Sequence, residues 1–120
     1  MSVNIAKASI IVRNPESATS YTVKSAWEDP ESGIPLDIVF NVNTNTIVEK
    51  FHSEGAPEKR TLDMEYTSPS QFAGYHEFRG TIGAGRIDIR LANGVVFKGK
   101  IVGGPQAGQA FVGAGTWTRS

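Results

Sequence analysis

The 120-residue sequence contains no cysteine, only three leucines and no long apolar run. A chain without cysteine cannot form a disulfide, use a thiol nucleophile or hold zinc through thiolates. No segment reaches the ~18 consecutive apolar residues of a membrane helix. The N-terminus has no basic start followed by an apolar core, as a secretion signal would. These absences favour a cytoplasmic protein without a membrane partner.

The chain also has no net charge, because twelve Lys and Arg residues balance twelve Asp and Glu residues. Binding to nucleic acid normally requires a basic groove, so we expect no nucleic-acid partner. The chain has the length of one domain, and no linker divides it. We therefore predict a single all-β domain over residues 1–120, for the reason given next.

Valine and isoleucine replace the scarce leucine, with ten residues of each. Branched side chains suit a pleated strand, whereas helices draw on leucine. Between Arg86 and Leu91 the odd positions are apolar and the even positions are charged, which is the period of a strand. Similar runs bring the number of predicted strands to about nine: 6–12, 21–28, 36–42, 47–51, 61–66, 72–82, 95–102 and 111–117. The pattern predicts a single antiparallel meander barrel or sandwich of eight to ten strands.

Short turns join these strands. Proline and small polar residues fill four of them, at 14–17, 29–33, 54–57 and 67–70. For the turn at Asn93 and Gly94 we predict a three-residue loop, because that form pairs Leu91 with Val95 and keeps one face apolar. The same parity predicts antiparallel hairpins between consecutive strands, among them 78–82 with 87–91 and 40–42 with 47–51.

Five glycines interrupt strand-like segments: Gly74, Gly80, Gly99, Gly113 and Gly115. Glycine weakens a strand unless a bend or a close approach requires it. These positions favour a strongly coiled sheet. The alternative is that a ligand or a neighbouring chain approaches the backbone there.

Three polar residues interrupt strand faces that are otherwise apolar: Ser25, Glu49 and His76. A charge in an apolar interior is costly, so a buried Glu49 would need a partner, and His76 is the natural one. If the barrel has a cavity, these three side chains would orient a ligand whose walls are Tyr21, Trp27 and Phe78. The alternatives are a bulge that reverses the strand faces, an open edge, or a satisfied hydrogen bond in the core.

Tyr75 and Arg79 form a second candidate site, on the surface. They lie opposite the apolar face of the same strand, so they would present an aromatic ring beside a cation. An exposed aromatic ring can stack on a sugar or a base.

Metal, cofactor and phosphate sites find little support. The two histidines, His52 and His76, have no metal-ligand spacing, and residues 29–32 lack the acidic ladder of a calcium loop. Residues 80–85 are glycine-rich, but they lead into a strand rather than the helix that a phosphate loop opens. We expect no metal and no cofactor, and we assign no catalytic residue.

The predicted layout resembles up-and-down barrels of the lipocalin and avidin kind, and small β-sandwich lectins, in architecture only. Residues 115–117, Gly-Thr-Trp, match the Gly-x-Trp pattern that lipocalin-like barrels carry on their first strand. Here the pattern lies near the C-terminal end, so the motif does not transfer. No family is assigned on this basis.

Three functions follow from these features. The leading hypothesis is a non-enzymatic binding module that holds a small amphipathic ligand or a glycan in the barrel or at its mouth. The second is a protein–protein or self-assembly module, such as a homo-oligomer, which uses exposed strand edges at 95–96 and 110–112. The third is a barrel enzyme in which His76 and Glu49 act as an acid–base pair.

Overall fold

The structure is a computed structural model that describes residues 3–13 and 19–119. Within these residues, the segments with alternating apolar side chains form nine strands. Two short 3-10 turns, Pro57–Lys59 and Pro69–Gln71, lie between strands. The strands are β1 (Asn4–Val12), β2 (Ser20–Glu28), β3 (Pro35–Thr44), β4 (Phe51–Ser53), β5 (Leu62–Tyr66), β6 (Tyr75–Gly83), β7 (Arg86–Leu91), β8 (Val96–Gly103) and β9 (Gln109–Arg119). The predicted turn at 14–17 lies outside the described residues. Among the described residues, no helix has the length and apolarity to cross a membrane.

Eight strands close into an antiparallel barrel, which confirms the predicted fold class. Around the barrel the order is β1, β2, β3, β9, β6, β7, β8 and β5, and the pairing of β5 with β1 closes the barrel. The extra strand β4 pairs with β8 beyond the end of β5. There the side chain of Ser53 reaches β1, since its hydroxyl accepts a hydrogen bond from the Ile10 N–H at 3.1 Å.

The barrel does not follow chain order throughout. The strands β1–β2–β3 and β6–β7–β8 pair as consecutive hairpins, but β9 lies between β3 and β6. The predicted pairing of 40–42 with 47–51 is therefore wrong, because β9 occupies that edge of β3. Residues 46–50 form no strand, and Ile47 is exposed whereas Val48 is buried. The inward and outward positions predicted for 47–51 are thus not observed before Phe51.

The predicted registers of the two later hairpins are confirmed. In β6–β7, Ile82 pairs with Ile87 and Phe78 pairs with Leu91. In β7–β8, the Leu91 N–H donates to the Val95 carbonyl at 2.8 Å, as expected for the three-residue loop. Gly94 has a φ of +98°, a conformation that glycine adopts without steric cost. Parity of the apolar face therefore identified the loop correctly.

Side chains fill the interior of the barrel. The central ring is Phe40, which packs within 6.5 Å of Phe78, Phe97 and Trp117, measured between ring centroids. Phe72 covers one end of the barrel, beside Trp27 and Trp117. A cluster of three aromatic rings lies toward the other end: Tyr21, Phe51 and Phe111.

Two of the strand glycines lie where neighbouring strands come very close. A Cβ atom added at Gly80 would lie 1.8 Å from the Asp88 carbonyl oxygen, and one at Gly113 would lie 2.3 Å from the Asn43 carbonyl oxygen. Both oxygens belong to adjacent strands of the same barrel. Close strand packing within the barrel therefore explains these glycines.

Candidate binding groove

Four of the six residues that the sequence predicts as ligand contacts belong to the packed core. Tyr21 and Ser25 are fully buried, and Trp27 and Phe78 are nearly so. The Tyr21 ring stacks on Phe51 with centroids 4.7 Å apart. A ligand inside the barrel would have to displace these packed side chains, so the interior offers no support for the predicted pocket.

The other two predicted residues, Glu49 and His76, do not come together as a pair. Glu49 is exposed in the segment that precedes β4, so its predicted position on an apolar strand face is wrong. His76 is the first residue of β6 whose side chain lies on the inward face, but it is only half buried. Its Nε2 lies 2.8 Å from the Ala73 carbonyl oxygen. Within the described residues, no hydrogen bond or ion pair joins Glu49 to His76. The acid–base pair of the enzyme hypothesis is therefore not formed.

Ser25 allows a test of the core itself, because its buried hydroxyl has no hydrogen-bond partner among the residues that the structure describes. A buried polar group without a partner costs about 1–3 kcal/mol. We expect Ser25→Ala to leave the free energy of unfolding unchanged or to raise it by about 1 kcal/mol, measured by urea denaturation. Ser53→Ala is the matched control, since its buried hydroxyl is bonded to Ile10 and its loss should cost about 1 kcal/mol. A loss of stability in Ser25→Ala as large as in the control would contradict this interpretation.

Tyr21 makes stability depend on pH in the alkaline range. Burial raises the pKa of its hydroxyl from 10.0 to about 12. Above pH 10 the unfolded chain loses this proton first, so stability falls as the pH rises toward 12. Urea denaturation at about pH 9 and about pH 11.5 should show a smaller fall in Tyr21→Phe than in the parent chain. Equal falls in the two proteins would refute the assignment.

An open groove runs across the outer wall of the barrel, over β3, β9, β6 and β7. Its volume is about 1000 Å³. The floor consists of the outward side chains of β9, which are small and apolar: Ala110, Val112 and Ala114. The outward side chains of β6 are longer, so they extend farther from the barrel wall than those of β9. The contrast in side-chain size between the two strands accounts for the depression.

Polar and aromatic groups flank this floor. Tyr75 is 65% exposed and lies at the start of β6, followed on the same face by Glu77 and Arg79. Asn43 and Asn45 line the opposite side, where the chain leaves β3. In the part of the chain that the structure describes, Tyr75, Glu77, Arg79 and Asn45 have no side-chain hydrogen bond or ion pair. These groups are free to contact a ligand.

Arg79 has an unusual neighbour across the β6–β7 ladder, because it lies directly opposite Arg90. Arg90 is held by Asp88, whose two carboxylate oxygens accept from the guanidinium at 3.1 and 3.4 Å. All three residues line the groove. The groove therefore contains one neutralised arginine and one arginine without a partner among the described residues.

The sequence analysis predicted the β6 side of this groove but not the floor on β9. The exposure of Tyr75 beside Arg79 agrees with the predicted surface candidate. The floor on β9 was missed, although Ala110, Val112 and Ala114 alternate with buried or inward positions in the way that marks an outward face. No local signal shows that β9 pairs with β6, and the pairing is what makes the groove.

The strands of the self-assembly hypothesis are paired to different extents. β8 pairs with β7 on one side and with β5 and β4 on the other. Residues 110–112 of β9 pair with β6, whereas the pairing of β9 with β3 covers only residues 113–119. Val95 and Phe111 are fully buried, but Ala110 and Val112 are exposed and belong to the floor of the groove. The self-assembly hypothesis therefore stays a prediction.

Two smaller depressions lie elsewhere on the described surface. One, of about 330 Å³, lies beside β4 at His52 and Gly55, and the other, of about 510 Å³, lies at the β2–β3 hairpin around Glu28 and Asp37. Within residues 3–13 and 19–119, no cluster of three His, Asp or Glu side chains could hold a metal ion. Comparison with protein-family models, curated proteins and solved structures finds no match for the chain. The candidate site is accordingly defined by the geometry and chemistry of the groove.

Proposed function

We propose that this protein is a non-enzymatic binding module that holds an amphipathic ligand, specifically a short glycan, in the outer groove. The observation that carries the proposal is the exposed ring of Tyr75 at the end of a low apolar floor, beside polar side chains such as Glu77 and Asn45 that have no partner among the described residues. A sugar ring has an apolar face of C–H groups and a rim of hydroxyl groups. The ring of Tyr75 suits the face, and the side chains of Glu77 and Asn45 suit the rim.

The proposal moves the ligand from the interior or mouth of the barrel, where the sequence alone suggested it, to the outer wall. The inside is occupied by aromatic side chains that pack on one another. The groove has the volume of a ligand site and needs no rearrangement of the core. The cysteine-free chain is in keeping with a cytoplasmic module, which cell fractionation would test.

Removal of the stacking ring should weaken glycan binding. On an oligosaccharide array, we expect Tyr75→Ala to bind about tenfold more weakly than the parent chain, the equivalent of about 1.4 kcal/mol of lost stacking. Ile5→Ala is the matched control, because Ile5 is similarly exposed, at 58%, but lies on β1, outside the groove. The control should bind as the parent does.

The position of the bound glycan on the protein tests the proposal independently of how tightly the glycan binds. Backbone amide shifts in nuclear magnetic resonance spectra should move at Tyr75, Val112 and Ala114 when the best array ligand is added. An array without any bound glycan would overturn the proposed function. Shifts confined to the two smaller depressions, or equal binding by Tyr75→Ala and the parent, would overturn the assignment to this groove.

A further inference from the structure

We infer that the glycan held in the groove carries a single carboxylate, which pairs with Arg79. This inference rests on the proposed function and specifies the class of ligand. It follows from the three charged side chains around Arg79 on the outer face of β6 and β7: Glu77, Asp88 and Arg90.

The first observation is the cross-strand pair of arginines. Like charges directly opposite each other in an antiparallel ladder repel and destabilise the pair. Arg90 is compensated by the two-point contact with Asp88. Arg79 has no such compensation among the described residues, although it lies in the same groove. An anion bound at Arg79 would relieve the repulsion, so binding there gains more than at an isolated surface arginine.

The second observation limits the charge of the ligand. Arg79 and Arg90 are balanced by Glu77 and Asp88, so the four charged groups that line the groove sum to zero. A polyanion would bring further negative groups close to Glu77 and Asp88 and would be repelled. One carboxylate, placed at Arg79, avoids this cost. A planar guanidinium also matches a carboxylate with two parallel hydrogen bonds.

The third observation sets the length of the ligand. Tyr75 and Arg79 lie on the same face of β6, four residues apart, which is ~13 Å at ~3.3 Å per residue. Glu77 lies between them, opposite Ala114 across the β6–β9 ladder. A short oligosaccharide can therefore stack one ring on Tyr75, turn its hydroxyl groups toward Glu77 and place an acidic ring at Arg79.

The test is an array on which otherwise neutral oligosaccharides that carry one hexuronate residue are printed beside their carboxyl-reduced forms, in which the –COO⁻ has become –CH₂OH. We expect the parent chain to bind the acidic form about tenfold more tightly at low salt, the equivalent of about 1.4 kcal/mol. This preference should shrink at high salt, because the ion pair is exposed to solvent. Polysulfated oligosaccharides on the same array should bind no better than the carboxyl-reduced forms, because their several negative groups would be repelled by Glu77 and Asp88.

The variants assign the preference to one side chain. Arg79→Met should remove the preference and leave binding of the reduced form unchanged, whereas Arg79→Lys should retain part of it. Arg86→Met is the matched control, because it removes one exposed positive charge from β7 outside the groove and should leave the preference intact. Tyr75→Ala, by contrast, should weaken binding of both forms alike.

Each failure has a separate meaning. If the parent chain binds both forms equally, the inference is overturned and the proposed function stands. The inference is also overturned if Arg79→Met keeps the preference, or if polysulfated forms bind more tightly than the carboxyl-reduced forms. If the parent binds neither form nor any other glycan, the proposed function fails and this inference fails with it.

Discussion

A Gly115→Ala variant is expected to lose about 3 kcal/mol or more of its free energy of unfolding. An added Cβ atom at Gly115 would lie 2.5 Å from the Asn41 carbonyl oxygen and 2.6 Å from the ring of Phe40. The carbonyl belongs to β3, which is paired on both sides. The Phe40 ring is fully buried and packs on Trp117 at 4.8 Å, so it has no room to retreat. Accommodating one methyl group therefore requires a shift of the barrel wall.

Urea denaturation followed by tryptophan fluorescence measures this loss. Gly108→Ala is the matched control, because an added Cβ atom at Gly108 meets no atom of the described residues within 4 Å and its φ is not positive. The control should stay within ~0.5 kcal/mol of the parent chain. If Gly115→Ala is as stable as Gly108→Ala, the barrel wall relaxes more easily than its packing indicates, and the steric explanation is wrong.

The second large effect is expected from Phe72→Ala, which should cost about 3–5 kcal/mol. The Phe72 ring is 2% exposed and covers one end of the barrel. Its centroid lies 5.8 Å from Trp27, 4.9 Å from Tyr66 and 5.3 Å from Trp117. Truncation would open a cavity among these three rings, and the rigid strands that carry them cannot collapse into it.

The connection that carries Phe72 is anchored independently of the ring. The Gln71 side chain accepts hydrogen bonds from the Thr67 and Ser68 N–H groups and donates to the Asn93 carbonyl at 2.8 Å. We therefore expect the loop to keep its place in Phe72→Ala, so that the loss measures the missing ring rather than a displaced segment. Chemical denaturation gives the size of the loss, and near-ultraviolet circular dichroism reports the changed surroundings of the tryptophans.

Tyr75→Ala is the control for Phe72→Ala, because it truncates an aromatic ring only three residues further along the chain. Tyr75 is 65% exposed, so the free energy of unfolding should change by no more than ~0.5 kcal/mol. The same variant serves the binding experiments, where a folded protein is required. A small loss in Phe72→Ala, comparable with that in Tyr75→Ala, would show that the ring does not close the barrel end.

The sequence predicted only some residues of the candidate site. A residue could be predicted where the pattern of its own strand showed the direction of its side chain. Tyr75 and Arg79 could be found because both lie on one face of one strand, which alternation reveals. Glu49 was misplaced because the segment before Phe51 breaks the alternation without a proline or glycine to mark the break. Ser25 was correctly placed on an inward face, but burial alone does not show whether an interior holds a ligand or only side chains.

Local patterns along the chain were enough to predict the all-β class, the inward faces of most strands and the register of two hairpins, because each depends on residues close together in the chain. The folded barrel alone shows that β9 inserts between β3 and β6, that β5 closes the barrel against β1, and that aromatic rings fill the middle. Strand partners distant in sequence are chosen by the packing of the whole barrel, which no local pattern encodes. The groove exists because of that choice, since it places the small side chains of β9 beside the long ones of β6.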